Sequence, residues 1–459
     1  MSHELISIIV LAALFLVATV LPVHMGALAL VAAFLVGTTV LGEDVDTVLS
    51  GFPADLFVIL VGVTYLFALA KDNGTVDWLV AKAVRSVGGR VALIPWVMFA
   101  ITGLITAVGA VVPAAVAIIA PIGMSFAKRY QIRPLLMGLM VINGASAGGF
   151  SPLSIFGSIV NGVVDRNDIP GSPTALFLSS LFFNIVLGVV VFLLFGGRTL
   201  LGKRDRGGEM VDSASPGGTA TGLPTADTTG PSHGSHEHRA ETTSVQTTTV
   251  RSAAPAGGEV SLDRNRALTL VGMAGLAIAV LFFDTDVGFT ALLVAVALSL
   301  FSPGSNKGAV SAIAWPTVLL VCGIVTYVSL MERIGTIDWL GEGVAKIGAP
   351  LLAAILICFI GALVSAFAST TGILGALIPL AVPFLLAGEI GPVGLIIALS
   401  ISSSVVDSSP FSTSGALVVA NAPEEDRDTV FKQLIYWGFS MVVVAPIATW
   451  LIFVVPNWG

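Results

Sequence analysis

The stretch Asn143-Gly-Ala-Ser146-Ala-Gly-Gly149-Phe-Ser151-Pro152-Leu-Ser154-Ile-Phe-Gly157 recurs in altered form as Ser402-Ser-Ser404-Val-Val-Asp407-Ser-Ser409-Pro410-Phe-Ser412-Thr-Ser-Gly415. With the Ser-Pro pairs superposed, Ser146 falls on Ser404, Gly149 on Asp407, Ser154 on Ser412 and Gly157 on Gly415. Each copy lies in an apolar run long enough to cross a bilayer, yet it carries Gly, Ser and a Pro with no backbone N–H. The helix should therefore break near mid-membrane. Backbone groups freed by such a break must line a polar site or be buried in protein. Two broken helices at corresponding places in two halves point to the binding site of a secondary transporter.

Composition sets the class. The chain is 55% hydrophobic and 11% charged, with a mean hydropathy of +0.97, against about 25% charged residues in soluble domains. These values describe an all-α polytopic membrane protein. A net charge of −7 argues against a nucleic-acid partner. Cys322 and Cys358 both lie in apolar runs, so neither a disulfide framework nor a metal site is indicated. An intramembrane enzyme would need paired acid/base residues or histidine ligands within the bundle, and the spans offer only the isolated His24. The run 6–21 lacks a basic n-region and a small-residue exit, and reads as a retained first span.

Taken in order, apolar runs near 5–22, 26–41 and 54–70 approach the roughly 20 residues that cross the hydrocarbon core. The more polar piece 71–90 places Val76, Leu79, Val80 and Val84 on one face of an interfacial helix, with Trp78 as anchor. A long apolar stretch, 91–127, is interrupted near 109–113. The interrupted helix follows at about 134–164, and a crossing at about 175–197. Between Lys203 and Arg264 the composition changes to Gly, Thr, Ser, Ala and Pro, which should leave the segment disordered. His233, His236 and His238 read there as part of a solvated linker rather than a metal site. The second half repeats the order with runs at 267–283, 288–301 and 315–331, an interfacial piece 332–349, a long stretch 350–388, a broken helix 392–421 and a last crossing 433–455.

The repeat extends beyond hydropathy. Val63-Thr64-Tyr65 and Gly74-Thr75-Val76-Asp77-Trp78-Leu79 answer to Val325-Thr326-Tyr327 and Gly335-Thr336-Ile337-Asp338-Trp339-Leu340. The expected domains are a first membrane repeat over 1–200, a cytoplasmic linker over 201–265 and a second membrane repeat over 266–459. If 91–127 and 350–388 are re-entrant hairpins, each half makes five crossings, one of them a broken helix, and the halves are inverted. The basic residues Lys71, Lys82, Arg85, Arg90, Lys128, Arg129 and Arg133 then share a side with Lys203, Arg204 and Arg206. The positive-inside rule puts that side, with the linker, in the cytoplasm of a cell (inner) membrane and both termini outside. The apolar turn near Gly109–Pro113 favours a tip buried in protein over an aqueous loop.

Candidate ligands follow from the freed helix ends. Helix N-termini can hold an anion without a fixed base, and unwound carbonyls with Ser/Thr hydroxyls suit a small hard cation. The second tip, Ser369-Thr370-Thr371-Gly372, is rich in hydroxyls, whereas Val111-Val112-Pro113-Ala114 at the first is not. Asn143, Ser146, Ser151, Ser369, Thr370, Thr371 and Ser409 are the candidate substrate donors. Asn143, Gly144, Ser369, Ser404 and Asp407 are the candidate Na⁺ ligands. Asp407 is the only carboxylate in the two interrupted segments. At that depth it is either functional or a helix cap at the break.

Together, two inverted repeats that each carry a hairpin and a broken helix resemble the ion transporter superfamily, specifically the divalent anion/sodium symporters. The run 143–162 resembles the malonate/dicarboxylate carrier branch. This resemblance implies a homodimer whose mobile transport domain carries a small dicarboxylate, malonate or a four-carbon acid, by an elevator motion. The transport would be coupled to Na⁺ or H⁺ and would need no cofactor. In the family a Ser-Asn-Thr motif at each hairpin tip binds a substrate carboxylate and helps to form a Na⁺ site. The second tip keeps hydroxyls at these positions, and Val111-Val112-Pro113 departs from the motif. The alternative is a Na⁺/H⁺ antiporter of the same superfamily, with Asp407 binding the ions and no organic substrate.

Overall fold

The computed structural model describes residues 2–21, 23–85, 90–167, 169–201, 262–283, 285–301, 308–336, 339, 350–366, 370–386 and 390–457. The expected linker 201–265, apart from its first residue and its last four, lies outside them. So do Ser369 at the second tip and most of the expected interfacial piece 332–349.

The first half begins with α1 (His3–Val20), α2 (Met25–Leu35), the short α3 (Val45–Ser50), α4 (Ala54–Asp72) and α5 (Thr75–Arg85). The ends of these helices are set locally. Ser2 Oγ accepts from Leu5 N, and the Asp44 carboxylate accepts from Thr47 N at 2.8 Å, satisfying N–H groups that have no partner within the helix. Helix α5 follows Gly74 at φ +74°, and Asn73 Oδ1 accepts from Thr75 N at 3.0 Å. Its buried Val76 and Val80, one turn apart, and its exposed Asp77 form the amphipathic face read from the sequence. Val84 lies among residues whose side chains are not described.

Next come α6 (Ile94–Ala107) and α7 (Val112–Tyr130), then α8 (Pro134–Gly148), α9 (Ile155–Arg166) and α10 (Pro173–Leu194). With 14 residues, α6 is about 21 Å long at 1.5 Å per residue, too short for a core of about 30 Å. By length alone α7 could cross. The contacts of the α6–α7 turn decide the matter. Ser151 Oγ, in the break between α8 and α9, donates to Ala107 O at 2.8 Å. A Cβ on Gly109, which sits at φ +118°, would lie 3.5 Å from Leu153 O. The tip therefore ends at the level of the break. That level is about midway along the pair, after 15 residues of α8 and before 12 of α9. The hairpin thus turns back inside the protein.

The second half runs α11 (Arg264–Phe283), α12 (Val287–Phe301), α13 (Trp315–Arg333), α14 (Pro350–Ser365), α15 (Thr370–Leu386) and α16 (Pro392–Val405). A 3₁₀ turn at Val406–Ser408 follows, then α17 (Thr413–Asn421) and α18 (Arg427–Thr449). The order of hairpin, broken helix and last crossing is the one read from the sequence.

Packing interleaves the halves. Helix α2 crosses α13, and α12 crosses α4. A Cβ on Gly323 would fall 2.0 Å from Gly26 O, and one on Gly62 would fall 2.5 Å from Gly288 O. Backbone approach of that kind is open only to glycine. Deeper in, α7 packs on α17 and α15 on α9, so the second arm of each hairpin supports the far segment of the other half's broken helix. Hairpins and broken helices share one apolar core, α1 and α2 build a second, and α13 contributes to both. A third joins parts of α4, α11 and α12.

At the ends of the helices, Lys128 pairs with Glu425 at 3.6 Å, Arg333 with Glu43 at 3.1 Å, and Arg166 Nε with Asp55 at 3.1 Å. Asn73 Nδ2 donates to Thr269 Oγ1 at 2.7 Å, and Gly391 N to Asn457 Oδ1 at 2.5 Å. Exposed ion pairs stabilise by only about 0–1 kcal/mol. They record which loops lie together more than they hold the fold.

Candidate functional site

The two breaks are the same structural knot. In the first, Ser154 Oγ accepts from Gly157 N at 3.3 Å, donates to Ser151 O at 2.6 Å and also reaches Gly149 O. In the second, Ser412 Oγ accepts from Gly415 N at 3.3 Å and approaches Ser409 O at 2.6 Å and Asp407 O at 2.5 Å. Leu153 N donates to Ser151 Oγ at 3.2 Å, and Phe411 N to Ser409 Oγ at 3.3 Å. A Cβ on Gly157 would lie 2.1 Å from Ser151 O, and one on Gly415 1.9 Å from Ser409 O. Each knot thus depends on its capping serine and its glycine. The helices α9 and α17 start from these knots, with their positive dipole ends inside the protein.

The copies differ in charge. Where the first carries Gly149, the second carries Asp407, whose Oδ2 accepts from Ser414 Oγ at 2.6 Å. Ser414 is in the first turn of α17, so an internal carboxylate already stands at that helix start. The first turn of α9 has no acidic residue. Asp407 is 4% exposed and is the one acidic or basic side chain buried among the described residues. The 3₁₀ turn that carries it packs against α8, the helix of Asn143.

Asn143 is 1% exposed, and its Nδ2 is buried without a hydrogen-bond partner. An unmet buried donor costs about 1–3 kcal/mol, and the hydroxyls of Ser158, Ser400 and Ser403 on the two broken helices are buried without a partner as well. Gly144 lies where α8 crosses α6, and a Cβ there would sit 2.2 Å from Phe99 O. Ser146 is buried, and its carbonyl accepts from Gly149 N at 3.2 Å. The Ser151 hydroxyl is engaged with the first hairpin tip, as described above. Ser404 Oγ donates to its own helix at Ile401 O, 3.1 Å away, as hydroxyls in membrane helices often do. At the second tip Thr370 and Thr371 are buried at the start of α15, and Thr370 Oγ1 lies 2.9 Å from Ser365 Oγ. The first tip is apolar, and Val111 caps α7 without a side-chain hydrogen bond. Asn143 and the Asp407 turn are thus brought to neighbouring elements, whereas the hydroxyl of Ser151 is taken up by the hairpin tip and that of Ser404 by its own helix.

Among the buried polar residues that the sequence reading did not single out, three bear on the breaks. Ser414 holds Asp407, and Ser180 and Asn184 on α10 face the broken helix. The last two carried a legible signal: polar residues four apart in an otherwise apolar crossing are costly and are kept for a reason.

Broken helices, a re-entrant first hairpin and a buried polar centre within a multi-pass helical bundle are the features of a membrane transporter. Residues 1–149 match the family model described as the N-terminus of the dicarboxylate carrier protein MatC, and residues 277–458 match the one described as citrate transporter. No curated protein matches the chain. Among solved structures, the YdaH transporter of Alcanivorax borkumensis is similar over 98% of each chain, at 14% identity and a TM-score of 0.57, a likeness of fold. The chain thus matches a dicarboxylate-carrier family model in its first half and a citrate-transporter model in its second, consistent with the resemblance to the ion transporter superfamily.

Proposed function

We propose that the protein moves small dicarboxylates, malonate or a four-carbon acid, across the cell membrane in exchange for the free energy of a Na⁺ or H⁺ gradient. The observation that carries this reading is the start of α9, a helix N-terminus in the protein interior with no acidic residue in its first turn, together with the unpartnered Asn143 amide on α8. Such donors can hold a carboxylate without a fixed cation. Thr370 and Thr371 at the start of α15 are the donors proposed for the second carboxylate. Ser369 belongs to this proposal by sequence alone. Asp407, too costly to bury for packing alone, is assigned to the coupling cation.

The supporting topology is two inverted repeats of five crossings, over 1–200 and 266–459, with the linker cytoplasmic and the termini outside. Every loop-to-loop contact named above joins segments that this topology puts on one side: Lys128 with Glu425 inside, Arg333 with Glu43 outside, Asn73 with Thr269 inside. Helices α1 and α2 contribute nothing to the core of the hairpins and broken helices, and α13 bridges the two clusters, an arrangement that suits an elevator motion of one against the other. The carrier would work as a homodimer. A second reading, a Na⁺/H⁺ antiporter without organic substrate, is favoured only by the single buried acid.

Uptake of radiolabelled malonate and succinate into proteoliposomes with imposed Na⁺ or H⁺ gradients tests both. Gradient-driven uptake, inhibited by diacids and weakly by acetate or aspartate, is expected. Movement of Na⁺ and H⁺ with no diacid uptake would replace this function with the antiporter.

A further inference from the structure

In sequence α10 is a plain crossing, but the face it turns to the broken helix is polar. Ser180 and Asn184, one turn apart, are both fully buried. Ser180 Oγ donates to Ser146 O at 3.3 Å, a carbonyl in the last turn of α8, and Asn184 Nδ2 donates to Ser180 O at 2.9 Å. One turn further along α10, a Cβ on Gly188 would lie 3.6 Å from Met140 Sδ of α8. The helices run antiparallel here, and the contacts Ser180–Ser146 and Gly188–Met140 bracket Asn184 on one helix and Asn143 on the other.

At that point two polar atoms are left over. Asn184 Oδ1 and Asn143 Nδ2 are both buried without a partner. One is an acceptor and the other a donor, on facing helices beside the break. Each carries the cost of an unmet buried group, and a hydrogen bond between them would satisfy both.

We propose that Asn184 is a positioning residue for substrate recognition. Its Oδ1 takes one hydrogen of the Asn143 amide and aims the other at the substrate carboxylate. Its own amide is pinned by Ser180, which in turn ties α10 to the carbonyl end of α8. Polar groups chained in this way polarise one another, so the amide of Asn143 becomes a better donor when Asn184 holds it. The inference rests on the reading of Asn143 as a substrate contact.

The test is a double-mutant cycle in malonate uptake, with Asn143→Ala, Asn184→Ala and the double variant. Asn184→Ala should raise KM about tenfold, the loss of one well-aimed hydrogen bond, with Vmax within about twofold, and the double variant should be no worse than Asn143→Ala alone. An unchanged KM in Asn184→Ala, or effects that multiply in the double variant, would overturn the proposal. If Asn184→Ala fails to reach the membrane, Asn184→Ser, which keeps an acceptor, carries the same comparison with a smaller rise. If Asn143→Ala leaves KM unchanged, the substrate role of Asn143 has failed instead, and that outcome is read separately.

Discussion

The break after α8 and the break after α16 share one backbone knot and differ by one carboxylate. Ser154 and Ser412 make the same set of contacts, and Gly157 and Gly415 are confined by the same carbonyl. The difference in charge lies at Gly149 and Asp407, with Ser414, the partner of Asp407, standing where the first copy has Phe156. The start of α17 is already faced by an acid held on Ser414, and the start of α9 is not. The duplicated scaffold thus carries two unlike helix starts: in the proposed function the one without an acid receives the incoming carboxylate, and the one with its own anion suits a cation.

Substitutions that erase or isolate the difference should act unequally. The largest effect is expected from Asp407→Asn, which keeps the shape and removes the charge. The stimulation of malonate uptake by an ion gradient should fall to the level seen without one, while the protein still elutes as a folded species in detergent. Retention of wild-type gradient dependence would reduce Asp407 to a structural cap. Next is Ser414→Ala, which removes a partner present only in the second copy. It should weaken cation dependence by at least about tenfold, as for one hydrogen bond to a charged group, with little change in the diacid KM. Smaller again are Ser154→Ala and Ser412→Ala. Each removes a helix cap, costs about 1–2 kcal/mol and lowers the temperature of thermal inactivation by a similar amount. Unequal shifts would show that the knots are not energetically alike. The smallest effect belongs to Arg166→Gln, which breaks an exposed pair with Asp55 and should move stability by no more than about 0.5 kcal/mol.

Much of this could be read from the chain because the repeat constrains it twice. Pro152 and Pro410, each followed two residues later by a serine, mark the breaks, and Gly109 and the apolar turn around it mark a tip that touches the first of them. What periodicity could not supply was partnership. Ser151 looked like a ligand, yet its hydroxyl closes on Ala107 of the hairpin; Gly144 looked like part of a cation site, yet it is the close crossing with α6. Those outcomes depend on which helix lies opposite, a tertiary fact absent from local spacing. Asn184 was overlooked for the same reason. With Ser180 one turn before it, Asn184 did stand out in a 22-residue apolar helix, but its meaning appears only when Asn143 is seen across from it.

The central claim, that the start of α9 receives the substrate carboxylate, is tested most directly at Gly149. The residue is in ordinary helical conformation with φ −64°, and a Cβ there would lie 3.2 Å from Phe156 and 3.3 Å from Val112. Asn and Asp at this position therefore ask the same small adjustment of their neighbours and differ in charge. Malonate binding to the purified carrier should be measured by calorimetry for Gly149→Asn and Gly149→Asp, at matched thermal stability. The account predicts that the asparagine variant still binds and that the aspartate variant, its own carboxylate now filling the helix start, shows no binding heat. Equal affinities in the two variants would contradict it.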